Sequence, residues 1–80
     1  MLKVSVISPE AVLFEGDVTS VVAPAFDGEV GILTGHAAMV TTLGAGVLRL
    51  SDGQRFNVEG GFLQVADNAV RVVTEKASKA

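Results

Sequence analysis

"GVLRLSDGQRFNVE", residues 46–59, reads as two short alternating runs around a turn. In the first run Leu48 and Leu50 alternate with Val47 and Arg49, and in the second Phe56 and Val58 alternate with Arg55, Asn57 and Glu59. A period of two belongs to a strand with one covered face and one wet face. Between the runs, Ser51-Asp52-Gly53-Gln54 carries an Asp-Gly pair, which suits the tight turns whose twist matches that of paired strands. The stretch predicts a β-hairpin.

The same grammar extends in both directions. "LKVSVIS" (2–8) places Leu2, Val4 and Val6 on one face and Lys3, Ser5 and Ile7 on the other, while "DVTSVVAP" (17–24) and "AVRVVTE" (69–75) are rich in β-branched residues. Turn formers separate these runs: Ser8-Pro9-Glu10, Glu15-Gly16-Asp17, Asp27-Gly28, Gly60-Gly61 and Asp67-Asn68. Only "HAAMVTTL" (36–43) has a helical look, and its Thr and Val content, its shortness and the following Gly44-x-Gly46 favour a strand. The recurrence of turns is that of a sandwich or barrel. The chain is therefore expected to be one all-β domain over residues 1–80, without linker or repeat, and with the terminal "KASKA" frayed.

Composition narrows the function. Nearly half of the 80 residues are hydrophobic, enough for a core, and there is no cysteine. Disulfides, thiolate metal sites and a cysteine nucleophile are thereby excluded. The net charge is −3, and the six basic residues form no run. Nucleic-acid binding needs a basic patch, and an acidic chain is also a poor ligand for anionic lipid. No segment reaches the ~20 apolar residues that span a bilayer, and Ser5, Ser8 and Pro9 interrupt any signal-like N-terminal run. A soluble protein is expected.

"DGEVGILTGHA" (27–37) gathers three glycines, two acids and the only histidine. One histidine without cysteine falls short of a metal ligand set. Ser20 or Ser51 with His36 and Asp27 supplies triad residue types, but no serine sits in an elbow motif. Asp27 and Glu29 are two apart, whereas a glycosidase pair flanks its substrate from separate elements. "GEVGILTG" lacks both the Lys-Ser/Thr end of a P-loop and a strand–glycine–helix context. A biotin or lipoyl carrier needs a lysine at a hairpin tip, and the lysines here lie near the termini. The reading left is a shaped loop with a charged tip, a surface for binding a partner.

Several landmarks then coincide: Phe14-x-Gly16, Gly28-Glu29-x-Gly31-Ile32, Gly35-His36-Ala37, Gly46-x-Leu48 and Gly60-Gly61-Phe62. In order and spacing, over roughly residues 2–76, the chain resembles the N-terminal domain of the epsilon subunit of rotary F-type ATP synthases. The resemblance implies a flattened β-sandwich of about ten short strands and a non-catalytic role without a cofactor. It implies one copy per complex on the central stalk, monomeric when isolated. The gamma subunit would be bound by one flank, and the c-ring by the lower edge. Gly28, Glu29, Val30 and Gly31 would face the ring, with Glu29 matching the family's acidic contact, and His36 and Ser8 would lie at gamma. Localisation would be peripheral, at the cytoplasmic face of a bacterial plasma membrane, which is met only through the ring. Two departures stand out. Thr34 occupies a position where the family often has proline. The family's C-terminal helical hairpin, which can inhibit hydrolysis or bind ATP, has no counterpart within residues 1–80. The competing expectation is a free-standing β-sandwich that binds or carries a small ligand, with a pocket to show for it.

Overall fold

The hairpin of residues 46–59 is present. β6 (Gly46–Leu50) runs antiparallel to the first part of β7 (Arg55–Ala66), with Leu48 opposite Phe56. The Gln54 carbonyl accepts from the Leu50 N–H at 2.9 Å, and the Leu50 carbonyl accepts from the Gly53 N–H at 3.0 Å. Leu48, Leu50, Phe56 and Val58 are buried, and Val47, Arg49, Arg55 and Asn57 are exposed, as the alternation requires.

This is a computed structural model describing all residues, Met1–Ala80, as eight strands and no helix. The remaining strands are β1 (Leu2–Ile7), β2 (Val12–Val18), β3 (Ser20–Ala25), β4 (Gly28–Leu33), β5 (Met39–Thr42) and β8 (Ala69–Lys79). Hydrogen bonding links them in the order β2-β1-β8-β7-β6-β3-β4, with β5 also on β7. β1 is antiparallel to β2 and parallel to β8, and the other ladders are antiparallel.

The long β7–β8 hairpin serves two layers. Residues 62–65 of β7 pair with β5, and residues 69–73 of β8 pair with β1, which completes a first layer of β2, β1, β8, β7 and β5. Residues 55–58 of β7 pair with β6, which continues through β3 to β4 as the second layer. Inward side chains from both layers meet in one cluster of 16 buried residues, among them Val4, Val6, Val72 and Leu63 from the first and Val21, Ile32 and Leu48 from the second. Burying such a side chain is worth roughly 1.5–3 kcal/mol each, and that burial holds the layers together. Phe14 of β2 reaches across to Phe56, ring centroids 6.4 Å apart and tilted by 56°.

Gly60 and Gly61 mark the crossing. The buried set on β7 changes there from even positions, Phe56 and Val58, to odd ones, Leu63 and Val65. Gly61 has φ 102, and a Cβ on it would collide with the Val73 carbonyl oxygen. On β8 the buried Thr74 hydroxyl donates to the Lys76 carbonyl at 2.8 Å. A glycine pair inside a strand can thus be a bend as well as a turn. That is why eight strands are found where about ten were expected: β7, of 12 residues, and β8, of 11, are each one strand shared between layers. "KASKA", expected to fray, is paired as far as Lys79 opposite Phe56, and the Ala80 N–H donates to the Arg55 carbonyl.

Candidate functional site

The glycine-rich stretch is mostly a strand. Gly28–Leu33, expected as a loop, forms β4, which pairs with β3 on one side only and is the free edge of the second layer. Its alternation was hidden among glycines: Ile32 is buried and Val30 half-buried, whereas Glu29, Gly31 and Leu33 are exposed. Asp27 lies in the Phe26-Asp27 turn between β3 and β4, so it does not share the strand face of Glu29. Gly28, φ 127, lets the chain enter β4 directly from that turn.

Glu29 already has a partner within the chain. Arg49 Nη2 of β6 lies 3.3 Å from Oε1 and 3.2 Å from Oε2, so one nitrogen straddles the carboxylate. The two side chains meet diagonally across β3, where Val22 pairs with both Gly31 and Arg49. Both are substantially exposed, 60% for Glu29 and 45% for Arg49, which places the pair in the class worth about 0–1 kcal/mol. The pair shapes the surface more than it stabilises the fold.

Ser8 and His36 lie in two separate turns, outside that edge pair. Ser8 closes the β1–β2 turn: its N–H donates to the Ala11 carbonyl at 2.9 Å, and its hydroxyl accepts from the Ala11 N–H at 3.2 Å. His36 follows the turn after β4, its N–H donating to the Leu33 carbonyl and its Nδ1 2.7 Å from the Ala37 carbonyl. That turn is tied to the β7–β8 tip, where Asn68 Oδ1 accepts from the Gly35 N–H at 2.6 Å. The Lys3 N–H also donates to the Asn68 carbonyl, so the two sites sit toward opposite ends of β1, about 16 Å of strand apart. They share a feature nonetheless, since they border the outer face of the first layer at its two ends. Across that face Thr42, Phe62, Val73, Ile7 and Val12 stand in one paired row. Phe62 is 40% and Val12 57% exposed. Such a row on a wet sheet face is the composition of a contact surface.

Other chemistry is given little to work with. Ser51 Oγ is engaged by the Thr19 and Ser20 N–H groups at 2.9 and 3.2 Å, which pins the β6–β7 turn onto β3. No group of three or more His, Asp or Glu side chains is placed to hold a metal ion. The larger surface depression, about 330 Å³, is lined by Asn57, Val58, Glu59, Lys76, Ala77 and Ser78, only two of them hydrophobic. It opens broadly to solvent, whereas a site for a small organic ligand encloses most of its ligand.

Three residues escaped the sequence reading. Arg49 was visible as an outward strand position, but its pairing with Glu29 depends on the strand order. Asn68, with φ 61, shows in the sequence only as a turn former. Phe26, 72% exposed at the β3–β4 tip, could have been noticed as an aromatic beside an Asp-Gly turn.

Comparison with known proteins agrees with this architecture. Residues 1–80 match the sequence profile of the family described as "ATP synthase, Delta/Epsilon chain, beta-sandwich domain". The chain is 46% identical over 77 residues to the ATP synthase epsilon chain of Leptospira interrogans, covering 92% of this chain and 61% of that one. It therefore spans under two thirds of that relative's length. With the ATP synthase epsilon chain of Chlorobium limicola it shares 39% identity over 80 residues, 95% of this chain and 91% of that one. A chain in the structure of the Euglena gracilis mitochondrial ATP synthase, described as OSCP/F1/c-ring, superposes with a TM-score of 0.87 at 24% identity, over 98% of this chain and 52% of its own. At that identity the likeness shows a common fold.

Proposed function

The chain belongs to the ATP synthase delta/epsilon-chain β-sandwich family, and on that premise we propose that it is a non-catalytic central-stalk domain of a rotary ATP synthase. It binds the gamma subunit through the outer face of the first layer and the c-ring through the β4 edge, where Gly28, Glu29, Val30 and Gly31 lie. Turning with both, it helps to lock proton-driven ring rotation to rotation of the shaft. Its place is then peripheral, at the cytoplasmic face of a bacterial plasma membrane.

The observation that carries this reading is the largely apolar row that crosses the outer face of the first layer beside Ser8. A paired stripe containing Phe62, Ile7 and Val12 across one wet face supports a broad protein contact there. Separation of that face from β4, which edges the other layer, lets one small domain touch two partners. The depressions and hairpin tips give the alternative of a ligand carrier no comparable support.

The test is capture of purified gamma subunit by Phe62→Asp and, as a control, Val47→Asp. Val47 is 36% exposed, much like Phe62, but lies on the outer face of the second layer. Burying a carboxylate in a protein contact should weaken gamma binding by about tenfold or more for Phe62→Asp, and Val47→Asp should bind as the unaltered chain does. Equal binding by all three would remove the first-layer face from the contact.

A further inference from the structure

Eight of the nine glycines have a reason within this chain. Five have positive φ. Gly16, Gly44 and Gly46 lie so close to the Phe14 ring, the Ala25 carbonyl and the Pro24 ring that a Cβ would approach those groups to 2.9–3.2 Å. Gly31 has neither reason. Its backbone is ordinary strand, and nothing stands within 4 Å of the place a Cβ would take. Glycine weakens a strand interior, because it adds chain entropy to the unfolded state and offers no side chain to pack. The fold thus carries a weakening residue from which it gains nothing.

What surrounds Gly31 points outside the chain. On the exposed side of β4, bare backbone at Gly31 lies between the Glu29 carboxylate and Leu33, which is 65% exposed. Beside it on β3 is the half-buried Val22. The notch therefore has aliphatic walls and an acid at one end. That acid is contacted by a single nitrogen of Arg49, whereas an ionised carboxylate accepts about four hydrogen bonds.

We propose that the Gly31 notch seats one basic side chain of the partner loop that faces β4. Its aliphatic stem lies on the Gly31 backbone between Leu33 and Val22, and its cationic head shares Glu29 with Arg49. The occupant is a lysine or arginine because a long apolar stem ending in positive charge complements aliphatic walls ending in a carboxylate. Arg49 already offsets the charge of Glu29, so the shape at Gly31, more than net charge, decides what fits. This proposal rests on the reading that β4 faces the c-ring, and it assigns Gly31 as the position that sets specificity there.

The experiment uses ATP synthase membranes stripped of this subunit and reconstituted with the chain or its variants. The readouts are the concentration that half-restores ATP-driven proton pumping and the thermal midpoint of each variant alone. Gly31→Ala and Gly31→Val should melt at or above the temperature of the unaltered chain, since both favour the strand. Gly31→Val should nonetheless need about tenfold more protein, because it overfills the notch, and Gly31→Ala should need an intermediate excess. Restoration by both variants at the unaltered concentration would overturn the notch, and so would a clear fall in their melting temperatures. Glu29→Arg separates the two ideas. If it weakens restoration while Gly31→Val does not, the notch fails and the ring-facing reading stands. If neither variant has an effect, the ring-facing reading fails with it.

Discussion

At the bend of the β7–β8 hairpin, Gly60, Gly61 and Thr74 are hemmed in by their own chain, whereas along β4 the outward side of Gly31 and Leu33 meets little but solvent and Glu29 meets only the exposed Arg49. The first region obeys interior constraints: a glycine where a Cβ would strike the Val73 carbonyl, and a threonine that satisfies the Lys76 carbonyl. In the second, Ile32 anchors the strand and the exposed side is free of the fold's demands. The same residue type therefore means different things in the two places. A glycine that cannot be replaced reports on the core, and one that the fold can spare directs attention to what lies outside.

The contrast can be broken most directly at Gly61. Gly61→Ala forces a Cβ into backbone at φ 102, a strain of about 2–4 kcal/mol. Melting followed by circular dichroism should show a fall of roughly 10–25 °C for a domain of this size. A midpoint close to the unaltered one would mean that the bend does not depend on glycine, and the distinction from Gly31 would collapse.

Thr74→Val should have a smaller effect. It keeps a β-branched shape but removes the hydroxyl that donates to Lys76, which should cost about 1 kcal/mol and about 5 °C. The same melting experiment reads it, and no change would show that the Lys76 carbonyl finds another donor.

Smallest is the pair on the β4 side. A double-mutant cycle of Glu29→Ala and Arg49→Ala should give a coupling of about 0.5 kcal/mol or less in the isolated chain. Added salt should shrink it further. A coupling well above 1 kcal/mol that ignores salt would make this pair part of the fold, and β4 would then resemble the bend.

Much of the architecture was legible from alternation alone. Leu2, Val4 and Val6, or Phe56 and Val58, announce their buried face because the strand period leaves no other arrangement that covers them. Gly60-Gly61 misled because a glycine pair is equally compatible with a reversal and with a kink, and only the continued pairing of Glu59 with Lys76 and Gly61 with Thr74 decides for the kink. Residues 28–33 misled in the opposite sense, since two glycines masked the alternation of Val30 and Ile32. The candidate surfaces owe more to the family resemblance than to pattern. The Glu29–Arg49 contact crosses an intervening strand, so it depends on a strand order that no local window contains.

β1 lies between β2 and β8, and its parallel ladder to β8 joins Lys3 to Ala69 and Ile7 to Val73. Synthesis runs from β1 towards β8, so β1 can fold against β2 once residue 18 is free, but its other edge has no partner until residues 69–73 have emerged. Pairing across such a long loop is slow, because the chain entropy of closure is lost before the contact is gained. Until then β1 shows an open strand edge, and Leu2, Val4 and Val6 lack their cover from Val70 and Val72. During synthesis the hazard therefore sits on β1, and the arrival of β8 removes it.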